Sequence, residues 1–105
     1  MMFWIGAAVC SIRLHSTESL KERRHVVRSL TDGARSRFNV SCADLGPHLT
    51  RQGADVGFTA AGSSAEEIDE RLANLENFLR MRETGGEFEI VDYSREVFAY
   101  GDLSD

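Results

Sequence analysis

Two helix-start signals divide this 105-residue chain into alternating strand-like and helix-like segments. A serine precedes a glutamate by three residues at Ser19–Glu22 and again at Ser64–Glu67, with Ser63–Glu66 as an alternative for the second signal. Such a pair forms a capping box, because each side chain binds a backbone donor that the first helical turn leaves free. Apolar residues follow both signals at helical spacing, so we predict one helix after each. Gly33 is expected to weaken the last turn of the first helix by ~1 kcal/mol relative to alanine.

Four other segments have the alternation and the Val, Ile and Phe content typical of β-strands, namely residues 3–14, 38–45, 54–61 and 88–93. The resulting order, β-α-β-β-α-β, predicts an α+β protein with the ferredoxin-like sandwich, a four-stranded antiparallel sheet with two helices on one face. In that topology the first and third strands are central and the second lies at an edge. We expect a single domain over residues 1–100 and a flexible acidic tail at 101–105.

The composition, with 42% hydrophobic and 28% charged residues, is typical of a soluble globular domain. No apolar run reaches the ~18–20 residues of a membrane span, and the N-terminal apolar stretch lacks the cationic leader of a secretory signal. We therefore expect a cytoplasmic protein without a membrane partner. Cys10 and Cys42 would lie two strand spacings apart, about 9–10 Å, which is too far for a disulfide. Both thiols are expected to be reduced and buried.

Charge is unevenly distributed along the chain, whose net charge is −5. Residues 18–37 carry six cations against three acids, a net charge of +3. Residues 63–105 carry twelve acids against four arginines, a net charge of −8. A basic helix on an otherwise acidic domain is a candidate docking surface for a polyanion, because the local field attracts a partner that the overall charge would repel.

Four cations of the first helix fall on one side of it. At 100° per residue, Lys21, Arg24, Arg28 and Arg35 lie within about 60° of each other, beside the apolar stripe that faces the core. We call these four residues the basic stripe. They are predicted to bind nucleic acid or an acidic partner, and Arg13 or Arg37 would extend the track. An ordinary solvated face remains the alternative.

Arg23 points closer to the core than its basic neighbours do. Two interpretations remain open, since a long cationic side chain can lie along apolar surface with its head in water, or can pair with a carboxylate. Asp44 is the expected partner for such a structural ion pair.

The uncovered face of the sheet is the second candidate surface. Sequence parity places five small residues on it, together with Arg13; they are Ser11, Ser41, Ala43, Gly57 and Thr59. Base stacking there is not expected, because an RNA platform of this topology needs aromatics on both central strands and Phe58 falls on the helix-covered side. Flat small-residue faces suit packing against a second sheet, so we predict a homodimer face, with a solvated sheet as the alternative.

No motif of a known catalytic or metal site occurs in the chain. The three histidines are far apart in sequence, and neither a Gly-rich phosphate loop, nor HExxH, nor GxSxG is present. We therefore expect a protein that is not an enzyme and that has no cofactor and no metal. A cluster of Asp44, His48 and Arg51 at the sheet edge is the place where a small-molecule site would form.

Five sequence blocks together form a recognisable set. They are SLKERRHVVRSL at residues 19–30, Arg37-Phe38-Asn39-Val40-Ser41, Ala54-Asp55-Val56-Gly57, the opening Trp4-Ile5-Gly6 and the late Val91-Asp92-Tyr93. The set resembles the YlxP-like family (domain of unknown function 503) over roughly residues 4–95. The chain departs from the family pattern at Asp44, where a glutamate is usual, and in the stretch from His48 to Ala54.

The resemblance implies a small ferredoxin-like domain, which agrees with the predicted element order. Genes of the family often lie beside those for translation initiation and ribosome-binding factors in bacteria, which implies a ribosome- or RNA-linked role by association. The family has no established reaction, so the resemblance implies no catalytic residues. We expect a small binding protein with RNA or the ribosome as partner. A homodimeric interaction module without nucleic-acid binding is the first alternative, and a small-molecule enzyme the second.

Overall fold

The computed structural model describes residues 1–15, 19–46 and 52–101. Its elements are β1 (Met2–Leu14), α1 (Leu20–Arg37), β2 (Ser41–Asp44), β3 (Gly53–Gly62), α2 (Ala65–Glu83) and β4 (Phe88–Gly101). The strands form one antiparallel sheet in the order β2-β3-β1-β4, so β1 and β3 are central. Both helices pack on the same face of this sheet. The predicted ferredoxin-like α+β fold is thereby confirmed.

Both helix-start signals act as N-caps. The Ser19 hydroxyl accepts a hydrogen bond from the backbone N–H of Glu22 at 3.2 Å. In α2 the Ser64 hydroxyl accepts from Glu67 N–H at the same distance, so the Ser64–Glu67 alternative is the one that forms. Each cap satisfies one of the four donors that a helix leaves free at its N-terminus.

The hydrophobic core lies between the two helices and the face of the sheet that they cover. Alternate residues of β1 and β3 point into it, which leaves their neighbours on the other face. The largest fully buried side chains are Phe58, Leu14, Leu30, Ile68, Leu72, Leu75 and Leu79. Gly6 permits the close approach of α2 to β1, because a Cβ at this position would lie only 2.8 Å from Leu72 Cδ1. Among the described residues, no helix is long and apolar enough to cross a membrane.

Gly33 does not shorten α1, which continues to Arg37. The residue lies where the two helices touch, and a Cβ there would be 2.7 Å from Phe78 Cζ of α2. Two guanidinium groups, those of Arg37 and Arg82, lie over the Phe78 ring at 5.1 and 5.0 Å from its centroid. Gly33 therefore lowers the helix propensity of α1 but allows the two helices to come into contact.

Two predicted strand lengths are wrong. The second strand begins only at Ser41, because Phe38 and Val40 lie in the connection from α1 and pack against the core. The fourth strand does not end at Tyr93 but continues to Gly101, paired with β1 apart from a register shift at Val91. Gly101, expected in a loose tail, is thus the last strand residue, and residues 102–105 lie outside the described part of the chain.

The two thiols are not bonded to each other. Cys10 is completely buried on β1, and this burial raises the pKa of its thiol to about 12. Cys42 on β2 is only half-buried, which is less than predicted, and burial again raises its thiol pKa. Neither cysteine has the low pKa of a reactive thiol.

We predict that Gly33→Ala lowers the free energy of unfolding by up to about 2 kcal/mol. Alanine raises the helix propensity by about 1 kcal/mol, but its methyl group must displace the Phe78 ring, and such overpacking costs about 1–3 kcal/mol. Urea denaturation followed by circular dichroism measures the difference. Ser36→Ala, at an exposed position of the same helix, serves as the control. A stabilised Gly33→Ala variant would show that the contact with Phe78 does not require glycine.

Candidate nucleic-acid interface

Helix α1 lies against β2 and β3, whereas α2 contacts mainly β1 and β4. The buried side of α1 consists of Val27, Leu30 and Ala34, with Arg23 and Thr31 beside them. This burial fixes the rotation of the helix about its axis. The basic stripe consequently faces solvent, on the side of α1 nearer to the edge strand β2.

Three cations of the basic stripe are free to bind a partner. Lys21, Arg24 and Arg28 are exposed, and none of them forms an ion pair or side-chain hydrogen bond with another described residue. From Lys21 to Arg28 the helix rises by about 10 Å. His25 is exposed on the same stretch.

Arg35, the fourth member of the stripe, has partners within the protein. Its Nη1 lies 3.4 Å from Asp32 Oδ1 one turn earlier, and its Nη2 donates to the Cys42 carbonyl at 3.3 Å. The side chain therefore ties α1 to the edge strand. Because Asp32 offsets part of its charge, Arg35 is the weakest of the four stripe residues as an anion ligand.

The structure does not place the two expected extensions of the stripe beside it. Arg13 lies on the uncovered face of the sheet, opposite to the helices, where it pairs with Glu89 of β4. Arg37 stacks on Phe78 and so lies on the α2 side of α1. Neither Arg13 nor Arg37 therefore lies in line with the basic stripe.

An open groove of about 290 Å³ runs between α1 and the end of β2. Arg24, Arg28 and Arg35 line it on the helix side together with Asp32, and Asp44 closes it on the strand side. Three guanidinium groups around one groove form a surface that suits phosphate oxygens, to which arginine donates in pairs.

The wall of this groove depends on an ion pair between Arg23 and Asp44. The Arg23 residue is only 3% exposed, and its Nη2 donates to Asp44 Oδ1 at 2.8 Å while Nη1 lies 3.4 Å from Oδ2. The backbone N–H of Gly46 donates to the same Oδ1 at 2.9 Å. Of the two interpretations of Arg23, the structure therefore has the one in which it pairs with a carboxylate. The pair joins α1 to the end of β2.

The pKa of the Asp44 carboxyl is lowered in the folded protein. Partial burial acts to raise it, but the hydrogen bonds from Arg23 and Gly46, together with the charges of Arg23 and Arg24, outweigh that effect. The ionised form of Asp44 is thus the one that the fold stabilises. As a consequence, the contact between α1 and β2 is sensitive to acid.

The structure does not show a small-molecule site at Asp44, His48 and Arg51 within the described residues. Asp44 is bound to Arg23, while His48 and Arg51 lie outside the described residues. Within residues 1–15, 19–46 and 52–101, no group of three His, Cys, Asp or Glu side chains is placed to hold a metal ion. His15 is engaged through Nδ1 with the Gly86 carbonyl at 3.0 Å.

The five small residues predicted as a dimer face do lie on one side of the sheet. Ser41 is opposite Thr59 and Ala43 is opposite Gly57, while Ser11 shares their face on β1. Leu45 covers part of this row, since a Cβ at Gly57 would be 3.1 Å from its Cδ1. Within the described residues no helix covers this side of the sheet, which we call the open face.

Sequence reasoning missed the aromatic side chains of the open face. Phe3 on β1 is opposite Tyr100 on β4, with ring centroids 5.5 Å apart, and Ile5 is opposite Phe98. Phe98 and Tyr100 were missed because the fourth strand was predicted to end at Tyr93. The alternation in Val97-Phe98-Ala99-Tyr100 is the signal that would have extended it.

The family model described as "Protein of unknown function (DUF503)" matches residues 5–95. The chain belongs to this family. It is also similar to the uncharacterized protein YlxP of Bacillus subtilis (strain 168), with 31% identity over 75 residues, which is 71% of this chain and 82% of the relative. The family suggested by the sequence blocks is thereby confirmed.

The region matched by the DUF503 model contains the whole of α1 and the Arg23–Asp44 pair. Phe3, Phe98 and Tyr100 lie outside it, so the aromatic end of the open face is formed by the two ends of this chain.

We predict that Asp44→Asn lowers the free energy of unfolding at pH 7 by about 1–3 kcal/mol. This is less than the ~3–5 kcal/mol of a fully buried pair, because the Asp44 side chain is 38% exposed. The pKa of Asp44 is lower in the folded protein than its unfolded value of about 4, so the ionised carboxylate stabilises the fold above that pH. This stabilisation disappears as the pH falls through the folded pKa. The difference between wild type and variant should therefore shrink below about pH 4.

Urea denaturation at a series of pH values measures this difference. Asp32→Asn is the matched control, since Asp32 is exposed and pairs with Arg35 only at the surface. Its effect should stay within about 0.5 kcal/mol. An Asp44→Asn effect that persists unchanged into acid would contradict the assignment of the stability to the ionised carboxylate.

Proposed function

We propose that this protein is a small cytoplasmic binding protein that docks on RNA or a ribonucleoprotein through the basic stripe of α1. The observation that carries the proposal is that Lys21, Arg24 and Arg28 are exposed and form no ion pair among the described residues. Exposed cations that the fold does not neutralise are available to displace the counterions of a phosphate backbone. The groove beside Arg24 and Arg28 adds a concave surface to this contact.

The distribution of charge supports a single docking orientation. Helix α2 and strand β4 belong to the part of the chain with a net charge of −8. The stripe lies on the opposite flank of α1, towards β2. A polyanion would be attracted to one flank and repelled from the other, which limits non-specific binding in other orientations.

The proposed contact positions a nucleic acid and reads little of its sequence. The stripe consists of long cationic side chains, which meet phosphates, and it contains no aromatic residue on which a base could stack. We accordingly propose a binding function without catalysis. A ribosome-linked role is compatible with such contacts, because ribosomal RNA presents phosphate over most of its surface.

The test is a salt titration of RNA binding. We predict that replacing Lys21, Arg24 and Arg28 with glutamine weakens binding to a short fluorescein-labelled RNA hairpin at least tenfold at low salt. The slope of log K against log[salt] should become shallower by about 2–3, since about 0.7–0.9 is lost for each phosphate contact removed. Fluorescence anisotropy measures both quantities.

A matched control removes cations that lie away from the stripe. Arg13→Gln together with Arg80→Gln changes arginines that are paired with Glu89 and Glu76, on the open face and on α2. This variant should bind the RNA hairpin as the wild type does. Equal losses in the two variants would indicate a response to net charge alone, and an unchanged triple variant would eliminate the stripe as the contact.

A homodimeric protein-interaction module without nucleic-acid binding is the second candidate function. The opposite net charges of residues 18–37 and 63–105 favour it, because the basic helix of one copy would meet the acidic side of another. In that case we expect self-association that weakens as salt is raised and that does not require RNA. Gel filtration at low and high salt, with and without ribosomal RNA, distinguishes the two functions. RNA retention by a monomer would contradict the second one.

A further inference from the structure

The open face of the sheet is uncharged along its centre. The residues of β1 that point to it, from Phe3 to Ser11, and those of β3 from Gly57 to Ala61 carry no charge. They are Phe3, Ile5, Ala7, Val9 and Ser11 on β1 and Gly57, Thr59 and Ala61 on β3. Most of this surface is apolar, although neither helix shields it from water.

Large apolar side chains on this face are exposed to solvent. Phe98 is 41% exposed, Tyr100 62%, Phe3 37% and Val9 36%. On β1 the neighbours of Phe3 and Val9 point towards the core, in which Ala8 and Cys10 are buried and against which Trp4 packs. This strand therefore cannot turn Phe3 and Val9 inward without exposing the others. A contiguous apolar surface of this kind marks an interaction site rather than an ordinary solvated face.

Charged side chains of the open face lie towards one end and along the β4 edge. Arg13 and Glu89 pair at that end, Asp55 of β3 lies near it opposite Ser11, and Asp92 and Glu96 are on the edge strand β4. The face thus has an apolar centre and a polar rim, which is the anatomy of a protein–protein interface. Its one cation among the described residues is already paired with Glu89, so the face lacks the free cations that a phosphate backbone or an anionic lipid surface would need.

The dimensions of the face are sufficient for a stable interface between two copies. The four strands have 13, 4, 10 and 14 residues. At ~4.8 Å spacing and ~3.3 Å rise per residue they form a face of roughly 650 Å². Two such faces bury roughly 1,300 Å², which exceeds the ~1,000 Å² expected of a specific protein–protein contact. A second copy of this chain also offers the same apolar centre and mixed-charge rim, so the face is complementary to itself.

We propose that the open face binds the open face of a second copy around a two-fold axis, with Phe3, Ile5, Val9 and Phe98 inside the contact. The dimer has four layers, in which the two sheets are in contact and the helices lie outside. This proposal goes beyond the proposed function and is independent of RNA binding. It adds the aromatic end of β1 and β4 to the small residues that the sequence predicted as a dimer face.

The experiment is sedimentation equilibrium of the full chain in the absence of RNA. Phe98→Glu and Val9→Glu each place a carboxylate in the proposed contact, and each is expected to weaken dimerisation at least tenfold. Met81→Glu is the matched control, because Met81 is 73% exposed on α2 and lies on the helix side. The control should dimerise as the wild type does, and circular dichroism checks that every variant is folded.

Salt dependence separates this dimer from one formed by opposite charges. Apolar contact is maintained or strengthened at high salt, whereas association through the basic stripe is weakened.

A wild-type chain that stays monomeric at millimolar concentration would overturn the proposal. So would a dimer that dissociates as salt is raised, or one that Phe98→Glu and Val9→Glu leave intact. A monomer that cosediments with neutral phosphatidylcholine vesicles would assign the face to a lipid surface instead. None of these outcomes changes the RNA titration, so each proposal can fail alone.

Discussion

Two helices can cover only one face of a four-stranded sheet, and this constraint shapes the whole molecule. The covered face holds the core residues of β1 and β3, and it fixes which side of α1 is buried. The same constraint leaves the basic stripe in solvent on one side of the molecule and the open face on the other. The two candidate surfaces are therefore separated by the thickness of the domain, and each can act without the other.

The Arg23–Asp44 pair determines how the basic residues of α1 are used. Arg23 is adjacent in sequence to Arg24, yet it is buried against the end of β2 while Arg24 is exposed. An unpaired guanidinium at this depth would destabilise the fold, so Asp44 must stay ionised and in place. Of these two adjacent arginines, Arg23 thus stabilises the fold, and Arg24 remains exposed on the surface.

Sequence reasoning recovered the element order and both helix caps because these depend on local signals. Ser19 and Ser64 lie next to the residues whose backbone they cap, and the periodicity of α1 spans several turns. It failed where the determining contact is distant in sequence. Gly33 is explained only by Phe78 of the other helix, and the length of β4 by its pairing with Met2 and Phe3 at the start of the chain. The position of Arg13 was correctly assigned to the open face, but that face is opposite to the stripe it was expected to extend.

A sheet-to-sheet dimer would determine how the proposed RNA contact operates. Packed sheets lie ~10 Å apart and each helix adds a layer about 10 Å thick, so the two basic stripes would be about 30 Å apart on opposite outer faces. One short RNA segment could not touch both stripes, whereas two segments of a folded ribosomal RNA could. Binding by the first stripe would then raise the effective concentration of the second, so that a weak contact of three cations on each copy becomes a stronger bivalent one. The open face would in this way contribute to RNA binding through geometry, although none of its residues touches RNA.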